Sequence, residues 1–139
     1  MEKLKRTTFK YLENELYSYK DTLKEVTRLR EEIIYNSSGM DENIGGGRAN
    51  TISDPTGTIA TRLATHKKLI YLEEMVQTIE KVYNMLPDFY KEFVQLKYWT
   101  KPQQLTMIGI SEQLHVNKNK VYQAREEVIQ LLALELGYR

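Results

Sequence analysis

The chain has 139 residues, and its 20 Lys and Arg nearly balance its 19 Asp and Glu, so total charge does not indicate a nucleic-acid partner. The absence of cysteine excludes disulfides and thiolate metal sites and fits a reducing cytosol. No apolar run approaches the roughly 18 residues of a membrane span, and the N-terminus lacks a signal-peptide core. We therefore expect a cytoplasmic protein of one or two small domains.

The first half of the chain is predicted to form an antiparallel hairpin of two long helices. Apolar residues recur three or four positions apart from Phe9 to Ile33, with Arg30 as the one exception. They do so again from Leu69 to Leu86, in a helix that begins near Thr58. The two apolar stripes either only bury each other or also form a dimer interface, and the pattern leaves both interpretations open. The best candidates for a dimer interface, or for residues that support one, are Leu12, Leu16, Leu23 and Val26.

Residues 36–57, which connect these helices, are rich in Ser, Gly, Asn and Thr. The glycines and Pro55 predict an irregular loop. The run Gly45-Gly46-Gly47-Arg48 does not match a phosphate-binding loop, because it lacks the Gly-Lys-Ser/Thr ending and no strand precedes it. A plain linker is the simplest interpretation, and a flexible arm whose Arg48 contacts DNA is the alternative.

The segment from Leu86 to Glu127 has the layout of a helix-turn-helix with a scaffold helix in front. Thr106 is suited to cap the first helix of the motif, and apolar residues then recur three or four positions apart. The turn falls at His115–Val116, where such motifs commonly have a glycine because the backbone often needs a positive φ. Histidine adopts that conformation less readily than glycine but tolerates it.

The second helix of the motif is expected to run from Lys118 to Leu136, with Asn117 as its N-cap and Gly137 as its stop. One of its edges is apolar and the other is polar, so it is suited to lie in a DNA major groove. The residues predicted to contact DNA are Lys101, Thr106, Asn117, Lys118, Asn119, Lys120, Tyr122, Gln123 and Arg125. Those expected to face bases are Asn119, Lys120, Tyr122 and Gln123, while Lys101, Lys118 and Arg125 flank them as phosphate contacts.

The charge distribution supports this placement weakly. Between Lys97 and Arg125 the chain has five basic residues and one acidic residue, Glu112. A patch this small is also common on solvated faces of ordinary three-helix segments, so alone it does not prove DNA binding. A second basic cluster, Lys3-Lys5-Arg6-Lys10, is the alternative location of a DNA surface.

Catalysis has no support in the sequence. The two histidines, His66 and His115, are far apart, and no HExxH, GxSxG or paired-carboxylate pattern is present. We therefore expect no catalytic residue, no metal ligand and no cofactor. The chain is predicted to be all-α, with a helical hairpin over residues 1–86 and a helix-turn-helix DNA-binding domain over residues 87–139.

Two resemblances add to this interpretation. Residues 86–134 resemble region four of sigma factors, which begins with Leu-Pro and has a helix with an aromatic end, here Lys97-Tyr98-Trp99, before its helix-turn-helix. Nearly the whole chain resembles the phage late-gene transcriptional activators of the RinA and ArpU type. The shared features are the pattern Tyr11–Leu16, the glycine loop Asn43–Arg48, the step Pro55-Thr56-Gly57 and the ending Glu135-Leu136-Gly137.

The second resemblance implies sequence-specific binding to promoter DNA, cooperation with the host RNA polymerase, and a location in the bacterial cytoplasm at the nucleoid. Three functions remain open. The first is a phage transcriptional activator, as a monomer or a homodimer. The second is a DNA-packaging recognition subunit similar to a small terminase, and the third is a helical adaptor that binds only protein.

Overall fold

The computed structural model describes the backbone of residues 3–43 and 55–138, and the side chains of residues 3–36 and 57–138. Within these ranges it contains seven helices and no strand, so the predicted all-α class is confirmed. The helices are α1 (Arg6–Tyr17), α2 (Tyr19–Asn43), α3 (Pro55–Thr65), α4 (Lys67–Met85), α5 (Asp88–Tyr98), α6 (Met107–Gln113) and α7 (Lys118–Leu136). Gly45, Gly46, Gly47 and Arg48, and with them the predicted DNA arm, lie outside the described residues.

Each of the two long helices expected in the first half is a pair of shorter helices. Ser18 separates α1 from α2, and its N–H donates to the Asn14 carbonyl 3.0 Å away. His66 separates α3 from α4, where its Nδ1 accepts a hydrogen bond from the N–H of Leu69 at 3.1 Å. This bond satisfies an amide that a helix start leaves without a partner, so His66 caps α4. The apolar spacing continues across both breaks and therefore did not predict them.

The chain forms two compact units. One unit consists of residues 1–20 and 75–139, and the other consists of residues 21–74. These units do not coincide with the expected segments 1–86 and 87–139, because α1 and most of α4 lie in the same unit as α5, α6 and α7.

The first unit has a core built from α1, α4, α5, α6 and α7. Leu12 is fully buried and Leu16 is 3% exposed within it. These two residues were candidates for a dimer interface, but they are already covered by their own chain and are not available to a second copy. Other buried members of this core are Ile79, Val82, Phe93, Tyr98, Ile110, Val121, Ala124, Val128, Ile129 and Leu132.

The second unit has a smaller core. Leu29, Ile33 and Leu69 are buried in it, and Val26, Leu63 and Leu72 pack against them. Arg30, which interrupts the apolar stripe of the sequence, forms an ion pair with Glu73 in the same unit. None of the helices in the described part of the chain is long and apolar enough to span a membrane.

Candidate nucleic-acid interface

The interface begins with α6, a short helix that is capped as predicted. The Thr106 hydroxyl oxygen accepts a hydrogen bond from the N–H of Gly109 at 3.0 Å, which satisfies one of the first amides of the helix. Ile110 and Ser111 are 1% and 4% exposed, and the Ser111 hydroxyl donates to the Ile108 carbonyl. The buried side of α6 therefore rests on the core of the first unit.

The turn after α6 contains the positive φ that the sequence predicted. His115 has φ 58°, which places it in the left-handed region. Its N–H donates to the Glu112 carbonyl at 3.2 Å, and the Val116 N–H donates to the Ser111 carbonyl at 3.0 Å. This pair of bonds is the Schellman motif, which usually has glycine at the residue with positive φ. A histidine there holds the turn at the expense of backbone strain.

The next helix, α7, has the predicted bounds and caps. Asn117 Oδ1 accepts from the Asn119 N–H at 2.9 Å, and Gly137 ends the helix with φ 83°. Val121 and Ala124 are fully buried and Val128 is 1% exposed, so these three fix the inner side of α7. The opposite side of its first two turns is exposed.

Four of the predicted DNA contacts lie together on that exposed side. They are Lys118, Asn119, Tyr122 and Gln123. Positions three and four apart are neighbours on a helix surface, so these side chains form one continuous edge. The Gln123 amide donates to Glu127 one turn further along, at 2.9 Å. We call these four residues the polar edge of α7.

The other predicted contacts have different surroundings. Lys101 and Thr106 are exposed but precede α6, and the Thr106 hydroxyl serves as a cap. Asn117 is likewise used as a cap. Lys120 is half-buried, with its ammonium 5.4 Å from the ring centre of Phe89 and 5.3 Å from that of Tyr90. The cation–π contacts hold Lys120 against the start of α5.

Arg125 lies in a polar network that sequence reasoning missed. Its Nε and Nη2 donate to the two carboxylate oxygens of Glu13 at 2.7 and 2.9 Å, and the Tyr98 hydroxyl donates to the same carboxylate at 2.7 Å. The Arg125 guanidinium also lies 4.6 Å from the ring centre of Phe9. Glu13 is 9% exposed. The network connects α1, α5 and α7, so Arg125 has a structural role.

One signal in the sequence pointed to Glu13. It is four residues after Phe9 and three before Leu16, which puts a carboxylate on the buried face of α1. A carboxylate in that position needs a partner. The partner is 112 residues away along the chain, so spacing could not identify it.

The network sets the protonation of its members. Burial acts to raise the pKa of Glu13, but the hydrogen bonds from Arg125 and Tyr98 and the Arg125 charge outweigh burial and lower the pKa below its ordinary value. Burial and the negative charge of Glu13 raise the pKa of Tyr98. The carboxylate therefore stays ionised and the phenol stays protonated at neutral pH.

A family model described as a protein of unknown function (DUF722) matches residues 5–133. The chain belongs to the DUF722 family. The match extends to residue 133, within α7, so the polar edge at residues 118–123 lies in the part of the chain that the family shares.

This DUF722 protein is 28% identical over 139 residues to the transcriptional activator rinA of Staphylococcus phage phi11, covering 96% of this chain and 94% of that relative. The predicted resemblance to RinA-type phage activators is confirmed by this full-length similarity. No solved structure matches the chain.

The strain at His115 leads to a stability prediction. His115→Gly should raise the free energy of unfolding, because glycine adopts positive φ without the steric penalty. Glycine also increases the entropy of the unfolded state, so the net gain should be roughly 0.5–1 kcal/mol. Gly137→His is the matched control, since Gly137 also has positive φ and a side chain there meets nothing within 4 Å. This reverse change should destabilise. Urea unfolding measures both, and a loss of stability in His115→Gly would contradict the strain argument.

The Glu13 network leads to a pH prediction. Because its folded-state pKa lies below the unfolded value near 4.5, the carboxylate stabilises the fold fully above pH 4.5, and this is lost as pH falls through the folded-state pKa. Glu13→Gln should therefore cost roughly 1–3 kcal/mol at pH 7, since it leaves the Arg125 charge without a carboxylate. The difference in the free energy of unfolding between Glu13→Gln and the native protein should become smaller at acid pH.

Urea unfolding at pH 7 and pH 3 checks this. Exposed Glu112→Gln, in the same unit, is the control and should change stability little at either pH. A cost for Glu13→Gln that is the same at both pH values would show that the carboxylate charge is not what stabilises the fold.

Proposed function

We propose that this protein is a phage transcriptional activator that binds promoter DNA by inserting the polar edge of α7 into the major groove. The observation that carries the proposal is the exposure of Lys118, Asn119, Tyr122 and Gln123 on the first two turns of a helix whose opposite side is buried. The similarity to the transcriptional activator rinA of Staphylococcus phage phi11 supports the activator role.

The chemistry of the polar edge suits base recognition. Asn and Gln side chains can pair with the donor and acceptor that adenine presents in the major groove, and Lys pairs with guanine or phosphate. Residues 118–123 span about 7.5 Å along the helix axis at 1.5 Å per residue, which fits within a groove about 12 Å wide. We assign base reading to Asn119 and Gln123, with Tyr122 beside them at 45% exposure.

The remaining predicted contacts take other roles in this proposal. We assign Lys118 and Lys101 to phosphates because both are exposed. Lys120 lies on the rings of Phe89 and Tyr90, which directs its charge to the edge of the groove rather than to a base. Arg125 positions α7 through Glu13.

Activation further requires contact with the transcription machinery. We propose that the protein acts with the host RNA polymerase at the nucleoid in the bacterial cytoplasm. The resemblance of residues 86–134 to sigma region four supports this, since sigma factors are polymerase subunits. We propose a regulator rather than an enzyme, because the phage phi11 relative is a transcriptional activator. The homodimer stays a prediction.

The test starts by selecting duplexes from a random-sequence library with the full chain. Gln123→Ala should then cost about 1–3 kcal/mol of binding free energy on a selected duplex and little on a mixed-sequence duplex of the same length, because only base readout distinguishes the two. Fluorescence anisotropy measures both affinities.

Gln130→Ala is the matched control. It removes the same side chain from α7 two turns further from the N-cap, about 10.5 Å along the axis, and should change neither affinity. Equal weakening of Gln123→Ala on both duplexes would show that Gln123 does not read bases. Enrichment of no duplex at all would contradict the proposed function.

A further inference from the structure

A basic cleft lies beside α7 on the surface of the first unit. It is an open cavity of about 390 Å³, lined by Lys3, Leu4, Arg6, Phe9, Lys10, Arg125 and Glu126. Its basic residues other than Arg125 come from the start of the chain, which the sequence offered only as an alternative DNA surface. In the structure these residues lie beside α7, the helix that also carries the polar edge.

The three N-terminal cations of the cleft are available to a ligand. Lys3, Arg6 and Lys10 are exposed, and within the described part of the chain no carboxylate lies within ion-pair distance of them. Arg6 and Lys10 are four residues apart and therefore lie on one side of α1, while Lys3 precedes the helix and lines the same cleft. Arg125 is already paired with Glu13, so its positive charge is compensated within the protein.

The cleft continues directly from the polar edge. Glu126 lines the cleft and lies four residues after Tyr122 and three after Gln123, so it is their neighbour on the surface of α7. From Asn119 to Glu126 the helix rises about 10.5 Å, which is close to the roughly 12 Å width of the major groove. When the polar edge enters the groove, a wall of that groove therefore reaches the cleft.

We infer that Lys3, Arg6 and Lys10 bind the DNA phosphate backbone along the edge of the groove that α7 enters. This inference rests on the proposed function and adds a second, sequence-independent contact to it. The phosphate is recognised by charge, since three cations that have no ion-pair partner among the described residues complement an anionic strand. Glu126, the one carboxylate in the cleft, opposes the same strand and limits its affinity.

The experiment compares Arg6→Gln/Lys10→Gln with Lys24→Gln/Lys67→Gln. Both variants remove two exposed positive charges, but the second pair lies in the other unit. Binding is measured by anisotropy over a salt series, on a duplex selected by the full native chain and on a mixed-sequence duplex of the same length. The Arg6/Lys10 variant should weaken binding to both duplexes by the same factor, roughly tenfold, and should reduce the slope of log affinity against log salt concentration by about 2. The Lys24/Lys67 variant should change neither the affinities nor the slope.

A third variant, Glu126→Gln, removes a negative charge from the cleft and should change the affinity in the opposite direction. It should strengthen binding to both duplexes, a result that partial unfolding cannot produce. Equal behaviour of the Arg6/Lys10 and Lys24/Lys67 variants would overturn the inference while leaving base reading by α7 intact. If the Arg6/Lys10 variant binds DNA like the native chain but no longer activates a reporter promoter, the inference is also overturned. The cleft would then be assigned to contact with RNA polymerase. Failure of the native chain to select any duplex would overturn the proposed function itself.

Discussion

The ion pair between Glu13 and Arg125 is the constraint on which the first unit depends. It bonds the first helix to the last through two hydrogen bonds, and the Tyr98 hydroxyl adds α5 to the same carboxylate. The Glu13 carboxylate is only 9% exposed, and burying it would be costly without a charged partner. The pair therefore fixes the position of α1 against α7. At the far end of α1, the Trp99 indole N–H donates to the Leu16 carbonyl at 3.0 Å and gives a second attachment to the α5 end.

The two halves of α7 have different surroundings. Its second half is an anchor, in which Val128, Ile129, Leu132 and Ala133 are all at most 1% exposed. Its first two turns carry the polar edge, supported underneath by Val121. A helix of 19 residues can hold the proposed reading edge rigidly because six residues along its inner side are buried. The same ion pair brings the basic start of α1 beside that edge, so the two proposed DNA contacts share one rigid support.

Features of the site that depend on neighbouring residues were predictable from sequence. The caps at Thr106, Asn117 and Gly137 and the positive φ at His115 follow from local hydrogen bonding and backbone sterics, which nearby residues determine. Arg125 was different. Counting charges placed it among phosphate contacts, because its partner is 112 residues away and only the folded chain brings the two together. The assignment of α1 to the C-terminal unit was missed for the same reason.

The central claim is that the start of α7, held by α1 and α5, is the surface that meets DNA. Hydrogen–deuterium exchange of the full chain, with and without a duplex selected from a random library, tests it most directly. The account predicts slower exchange on DNA at the turn from α6 to α7 and over the first two turns of α7, with no change at residues 21–36. Slower exchange at residues 21–36, with residues 114–124 unchanged, would contradict it.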